Sequence, residues 1–319
     1  MALGEHGSPG DGLPLAEQYR ALHEGLAWLE IARDAVRVAG PDAEKYLQGQ
    51  LSQDVARLSP GQAAWSLVLA PQGKLDAFVR CSRVADDEFV LDTDPAVGER
   101  LVERLLRFRL RTKAEAERLA WRALAVRGPG AAQPPFGGPD GGGGPLVAPF
   151  EWGGLVGYDL LGPHPAPPPG ALAIGEEAYE AARVEAGFPR HGAELDERTI
   201  PAEAGLVEAT VNFTKGCYTG QELVARIDSR GNNVPRRLRG LFLAGPAHPG
   251  DVLHPAGGQA GEKQAAEKEV GRVTSVAFSP GHGWVALAYV GRAAQAAETV
   301  VVGEGGTARV QALPFPAAG

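Results

Sequence analysis

Cysteine is almost missing: Cys81 and Cys217 are the only two in 319 residues. Two thiols in unrelated contexts exclude a disulfide framework and a four-thiolate site, so no metal centre built from this chain alone is expected. Also lacking is any run of about 18 uncharged apolar residues, and the opening MALGEHGSPGDG has no basic region followed by an apolar core. These absences lead us to expect no membrane contact and a cytoplasmic location. Basic residues are the minority, 31 against 39 acidic, for a net charge of -8. That balance argues against a surface that coats nucleic acid, though not against a local basic site.

What is present fits a globular chain. Hydrophobic residues make up 44% and charged residues 22%, near the average for soluble domains, and roughly 150 residues per domain gives two or three units. Residues 1–19 read as a flexible start. From 20 to 127 the pattern is mixed: a strand at DAVRVAG, a helix at PDAEKYLQGQL, and a meander of strands around the turn PQGK. A helix over 95–108 then places Val97, Leu101, Leu105 and Phe108 on one face, and a last strand follows at RALAVRG. Residues 128–145, GPGAAQPPFGGPDGGGGP, have neither period nor apolar content and read as a linker. A second α+β unit covers 146–238, with a helix at GEEAYEAARVEAG stopped by Gly187. Short strands between Gly, Pro and charged turns fill 239–319, as in an all-β barrel.

The stretch TKGCYTGQELVARIDSR joins one of the two thiols to a helix. Leu223, Val224 and Ile227 share a helical face, so the spacing predicts a helix from about Thr219 with Cys217 just ahead of it. A helix N-terminus and the ammonium of Lys215 both favour thiolate, the form that attacks electrophiles and binds metals. Gly216 and Gly220 let backbone approach a ligand closely, Gln221 and Glu222 begin the helix, and Tyr218 completes the motif. The other reading makes Cys217 a small buried hydrophobe and Lys215 a solvated charge. Downstream, five arginines from Arg226 to Arg239 reverse the local charge. They suit a carboxylate or phosphate, or equally a polar hinge paired with carboxylates.

KGCYTGQE resembles the signature of the YgfZ family of folate-binding proteins, relatives of the glycine cleavage T-protein whose members assist maintenance of iron–sulfur enzymes. Residues 38–55, 69–78, 183–206 and 272–280 look like further family segments in the family's order. The resemblance implies an α+β, three-lobed fold with a central folate channel and a C-terminal β-barrel, so that 20–127 becomes a folate-binding subdomain and 146–238 the subdomain that carries the motif. It implies tetrahydrofolate or a derivative as cofactor, and iron–sulfur enzymes or assembly proteins as partners, with nucleic acid involved only indirectly through tRNA-modifying enzymes. Glu185 in RVEAG matches the pterin-binding glutamate, whose carboxylate accepts paired hydrogen bonds. Tyr158 in GYDLL falls in a matching segment, and Arg226 heads the cluster that would meet a polyglutamate tail.

An aminomethyltransferase of this superfamily would carry paired aspartates. In GKLDAF, Asp76 matches the first and Ala77 replaces the second. Alanine can neither take a proton nor stabilise an iminium cation, so ordinary T-protein catalysis is not expected. The readings are therefore an accessory protein acting through Cys217 and Lys215 or, as the alternative, a tetrahydrofolate-dependent aminomethyltransferase. A cysteine hydrolase would need a histidine beside Cys217, and the nearest in sequence, His191 and His248, lie in no matching motif.

Overall fold

A computed structural model describes residues 12–131, 144–256, 269–292, 294, 299–303 and 305–318. In chain order the helices are α1 (Leu15–Glu24), α2 (Ala43–Gln50), α3 (Gly98–Arg107), α4 (Glu176–Ala186), α5 (Val207–Thr210) and α6 (Gln221–Ser229). The strands are β1 (Ala27–Ile31), β2 (Asp34–Ala39), β3 (Ala63–Leu69), β4 (Leu75–Ala85), β5 (Glu88–Thr93), β6 (Glu115–Leu119), β7 (Arg122–Arg127) and β8 (Leu146–Trp152). They continue as β9 (Leu155–Gly162), β10 (Leu172–Ala173), β11 (Arg236–Leu243), β12 (Val252–Pro255), β13 (Gly271–Ser279), β14 (Gly283–Gly291), β15 (Thr299–Val302) and β16 (Gly306–Gln311).

Two five-stranded sheets and a barrel result. The first sheet runs β3-β4-β5-β2-β6 and the second β10-β1-β7-β9-β8. Along β4 the side chains alternate as the pleat requires. Ala77, Val79 and Cys81 pack with residues of α2 and α3, while Phe78 turns the other way, stacking on Trp65 of β3 and meeting Trp152 of β8 and Phe188, which in turn packs on Phe150. Burial pushes the Cys81 thiol's pKa up, which is core filling rather than chemistry. The barrel, ordered β11-β14-β13-β12-β15-β16, closes because β11 pairs with both β14 and β16, leaving no open edge. Its short strand β12 lay outside the sequence reading.

The sheets divide the chain differently from the expected boundary at 127. β7 does not close the first unit. It pairs antiparallel with β1 and β9 in the second sheet, so the chain leaves that sheet after β1 and returns to it at β7. Strand patterning reveals a strand but not its partner. The flexible start also needs correcting, because α1 is ordered from Leu15. Gln18 is buried, donating to the Leu13 carbonyl and accepting the Gly175 N–H at 2.6 Å, a tertiary anchor with no local signature. Of the expected linker, residues 132–143 lie outside the described residues.

Charges buried between the sheets hold them together. Arg80 of β4 donates to Asp92 of β5 at 2.9 and 3.0 Å, and crosses to Asp159 of β9 at 2.7 Å and to the Ala148 and Pro149 carbonyls of β8. Arg33 reaches Asp92 and Asp94. Arg127 sits 2.8 Å from Asp159 Oδ1, without hydrogen-bond alignment, and its guanidinium lies 3.7 Å from the Phe150 ring centre. Three arginines face three aspartates, so the group is internally neutral, the condition under which buried charge is tolerated.

Candidate functional site

The loop before α6 is stitched to the end of α2 and to the β3–β4 turn. Asn212 Oδ1 accepts the N–H groups of Thr214 and Lys215, an Asx turn that bends the chain. Lys215 then sends its Nζ to the carbonyls of Gln48, Leu51 and Gln53 at 2.7, 2.6 and 2.9 Å, capping the C-terminal end of α2 where the dipole favours a cation. Burial lowers its pKa to about 8. Tyr218 is buried in the main core, and the Thr219 N–H donates to Gly49 O.

Gly220 has φ +80°, and a Cβ there would stand 2.5 Å from Ala70 O, so glycine is required both for the conformation and for the close approach. This left-handed cap moves the helix start from the expected Thr219 to Gln221. Gln221 turns back to accept the Tyr218 N–H at 3.2 Å. Cys217 is exposed and unpaired, four residues before the first helical residue rather than against it. Gly216 has open space around it, and Glu222 and Arg226 face solvent. The Lys215 ammonium is held by carbonyls, and the buried-hydrophobe reading of Cys217 is ruled out by its exposure.

A separate cavity of about 970 Å³ opens between the end of β1, the start of α4 and the Phe188–Ala193 segment, a size typical of small-molecule sites. Leu29, Ile31, Ile174, Tyr179 and Phe188 give it apolar walls. Asp94 accepts Arg33 Nη1 at 2.9 Å through one oxygen and the His191 N–H at 2.7 Å through the other. His191 Nε2 accepts the Phe78 N–H at 3.2 Å, which leaves the ring proton on Nδ1. Burial lowers the His191 pKa against the pull of Asp94, so this imidazole is neutral near pH 7. Arg190 stands at the rim beside Glu180.

The expected ligand residues are scattered. Tyr179 and Arg183 share the cavity face of α4, and Glu185 lies about 200° round the helix from Arg183. The carboxylate of Glu185 accepts Tyr19 Oη at 2.9 Å and stands 3.7 Å from His23 Nε2, outside the residues that line the large cavity. Tyr158 is buried on another face of the second sheet, among Leu124, Val126, Ala131 and Leu160. Asp76 binds Arg104 of α3 at 2.9 Å in a smaller hollow of about 420 Å³.

Residues 15–133 match the model of the GCVT N-terminal domain. The chain is 31% identical to the aminomethyltransferase of Rubrobacter xylanophilus over 309 residues, 88% of this chain and 80% of that protein. It is also 30% identical to the mitochondrial iron-sulfur cluster assembly factor IBA57 homolog of Chaetomium globosum, over 81% of this chain and 68% of that one. The chain belongs to the GCVT-like superfamily. The glycine cleavage system aminomethyltransferase T of Bartonella henselae superposes with a TM-score of 0.79, covering 96% of this chain and 90% of that one, at 22% identity. The three-lobed GCVT-like fold expected from the sequence is therefore present.

Within this GCVT-like chain, sequence reasoning missed Arg33, Asp94 and His191 as cavity residues. Their signal was faint: an RHG tripeptide ahead of an acidic turn, and an aspartate at the end of a strand. Nothing local shows that the two converge. Among the described residues no cluster of His, Cys, Asp and Glu is arranged to hold a metal ion, and no helix is long and apolar enough to cross a membrane.

Proposed function

We propose that this chain is a folate-binding accessory protein of the YgfZ kind, supporting assembly or repair of iron–sulfur enzymes, tRNA-modifying ones included, in the cytoplasm. One observation carries the choice of accessory protein over transferase. Asp76 is committed to Arg104, and Ala77 is buried in the core behind it. Neither position offers a carboxylate to the large cavity, so a donor amine held there would find no acid–base partner from this strand. Likeness to the IBA57 homolog supports the iron–sulfur side of the reading. Cys217, exposed on its anchored loop, is the residue proposed to meet a partner's cluster or oxidised thiol, with Lys215 as its positioning residue.

The cavity fits a reduced folate in its chemistry. Apolar and aromatic walls suit a flat ring, and Asp94 keeps acceptor capacity beyond the two bonds it makes, since a carboxylate offers about four lone-pair sites. Arg190, 39% exposed at its side chain, can pair with a tail carboxylate. The pterin contact expected of Glu185 is assigned to Asp94 in this reading. Bound folate would supply one-carbon chemistry.

Calorimetric titration with tetrahydrofolate is the test. Binding in the parent that falls at least about tenfold in Asp94→Ala, the cost of one charge-assisted hydrogen bond, is the expected result, and no binding in the parent defeats the ligand half. The alternative, an aminomethyltransferase, is favoured by the likeness to the Rubrobacter enzyme. It would show itself by release of ammonia from a methylamine-type donor in the presence of tetrahydrofolate.

A further inference from the structure

The end of α3 carries a surface that neither the cavity nor the thiol loop explains. Residues 100–113, RLVERLLRFRLRTK, hold six basic side chains and one acid in a chain of net charge -8. Among the described residues five large hydrophobics are exposed, and three of them fall here: Leu106 at 41%, Phe108 at 36% and Leu110 at 83%. Solvent-exposed apolar side chains clustered in this way mark an interaction surface. Arg111 adopts φ +55°, a left-handed turn that projects the tip of the segment. Arg104 and Arg109 are paired with Asp76 and Glu115. Arg107 and Arg111 have no ion pair among the described residues.

Beside this segment lies the smaller hollow, with Ala70, Pro71, Leu101 and Phe108 as its apolar wall. Of its charged lining, Asp76 and Glu197 are taken up by Arg104 and Arg100, which leaves Glu103 and Arg107 outside those pairs. The guanidinium of Arg104 lies 3.7 Å from the Phe108 ring centre, covering one face of that ring and fixing it at the hollow's edge. The hollow's wall includes Ala70 and Pro71 of the β3–β4 turn, and Gly220 of the thiol loop packs on that same turn so closely that a Cβ there would meet Ala70 O and Gly73 Cα. An object seated in the hollow therefore lies against the turn that supports the Cys217 loop.

We propose that this surface docks a partner protein through a segment that presents an apolar side chain flanked by Asp or Glu carboxylates. The apolar group enters the hollow, and the carboxylates meet Arg107 and Arg111. The excess positive charge of residues 100–113, six basic side chains against one acid, with Arg107 and Arg111 unpaired among the described residues, selects an acidic partner by charge complementarity. Concavity selects a protein, since a bilayer offers no protruding side chain to fill a hollow of about 420 Å³. Single-stranded nucleic acid stacks its bases on open aromatic faces, and the only aromatic here already has one face covered. As the docking point for the iron–sulfur partner, this surface rests on the function proposed above, whereas its chemistry does not.

The test uses the full chain with p-benzoyl-phenylalanine in place of Leu110, and in a second version in place of Leu106, each produced in host cells that lack the native copy and irradiated. Unchanged melting temperature confirms folding of both. We expect an adduct whose peptide, read by mass spectrometry, has an apolar residue among carboxylates, with its yield reduced roughly tenfold by Arg107→Glu with Arg111→Glu, like charges then facing each other. A nucleic-acid adduct, a lipid adduct, a peptide without carboxylates or the absence of any adduct overturns the proposal. Cluster-enzyme activity in the same cells separates the two readings. If the adduct is lost and activity persists, docking stands and the iron–sulfur role falls; if activity drops while the adduct resists charge reversal, docking falls alone.

Discussion

Arginine has opposite roles at two places in this molecule. Between the sheets, Arg33, Arg80 and Arg127 are sealed among Asp92, Asp94 and Asp159, every charge meeting its opposite within 3 Å. At the end of α3, Arg107 and Arg111 lie in the open beside bare leucines. The inner group cannot be altered without stranding a partner in low dielectric, whereas the outer group can be altered at almost no cost to folding. Side chains of one type thus separate into those that set one sheet against the other and those left for another molecule.

The largest effect should come from cutting the inner group. Arg80→Met leaves Asp92 and Asp159 short of a partner and removes the donors to two β8 carbonyls. Denaturant unfolding should show a loss of about 3–5 kcal/mol, the usual cost of orphaning a buried charge. Arg107→Met on the outer surface should change stability by less than about 0.5 kcal/mol. Equal losses at the two positions would abolish the contrast.

Lys215 lies between these extremes, half-buried and bonded to three carbonyls. Lys215→Met should cost about 2 kcal/mol, because carbonyls at the end of α2 lose a charged donor. The pH dependence sharpens this. Its pKa falls from 10.5 to about 8 in the folded chain, so between those values the unfolded chain holds more protons and stability contributed by this group rises with pH. Below about pH 8 both states are protonated and the slope disappears. The methionine variant should lack the rise, as chemical unfolding at pH 8, 9 and 10 would show. A smaller change is expected at the α1 contact, where burial raises the Tyr19 pKa to about 12 and the hydroxyl stays a donor to Glu185. Tyr19→Phe should cost about 1 kcal/mol.

How much of this was legible in the sequence depends on whether the signal was local. Helix α3 was expected over 95–108 and forms over Gly98–Arg107, because an apolar stripe repeats within a few residues. The barrel was expected from 239 and begins at Arg236. Gly220 was expected to serve close approach to a ligand, whereas what requires glycine there is the left-handed helix cap and the nearness of Ala70 O. What escaped was non-local: that β7 returns to the sheet of β1, that Arg80 of one sheet finds Asp159 of the other, and that Asp94 and His191 meet at one cavity. Each depends on pairs far apart in the chain, which composition and period do not encode. Glu185 shows the converse hazard. Its motif was found, but the turn of α4 directs its carboxylate to Tyr19.

A change in stability as small as that at Arg107 is expected at the residue on which function is staked. Cys217 is exposed, with no disulfide, and its loop is held by Asn212, Lys215, Tyr218 and Gly220 rather than by sulfur. Cys217→Ser swaps one small polar group for another in water, so unfolding free energy should move by less than about 0.5 kcal/mol. If the thiol is the working group, cluster-enzyme activity in cells lacking the native copy should nevertheless fall to the level of the empty strain, since a serine hydroxyl neither ionises near neutral pH nor exchanges with a disulfide. Full rescue by the serine variant would remove sulfur from the mechanism and leave the loop as a structural clasp between α2 and the β3–β4 turn. Loss of activity at unchanged stability cannot be ascribed to packing, and it would set Cys217 apart from Arg80, where function and fold fail together.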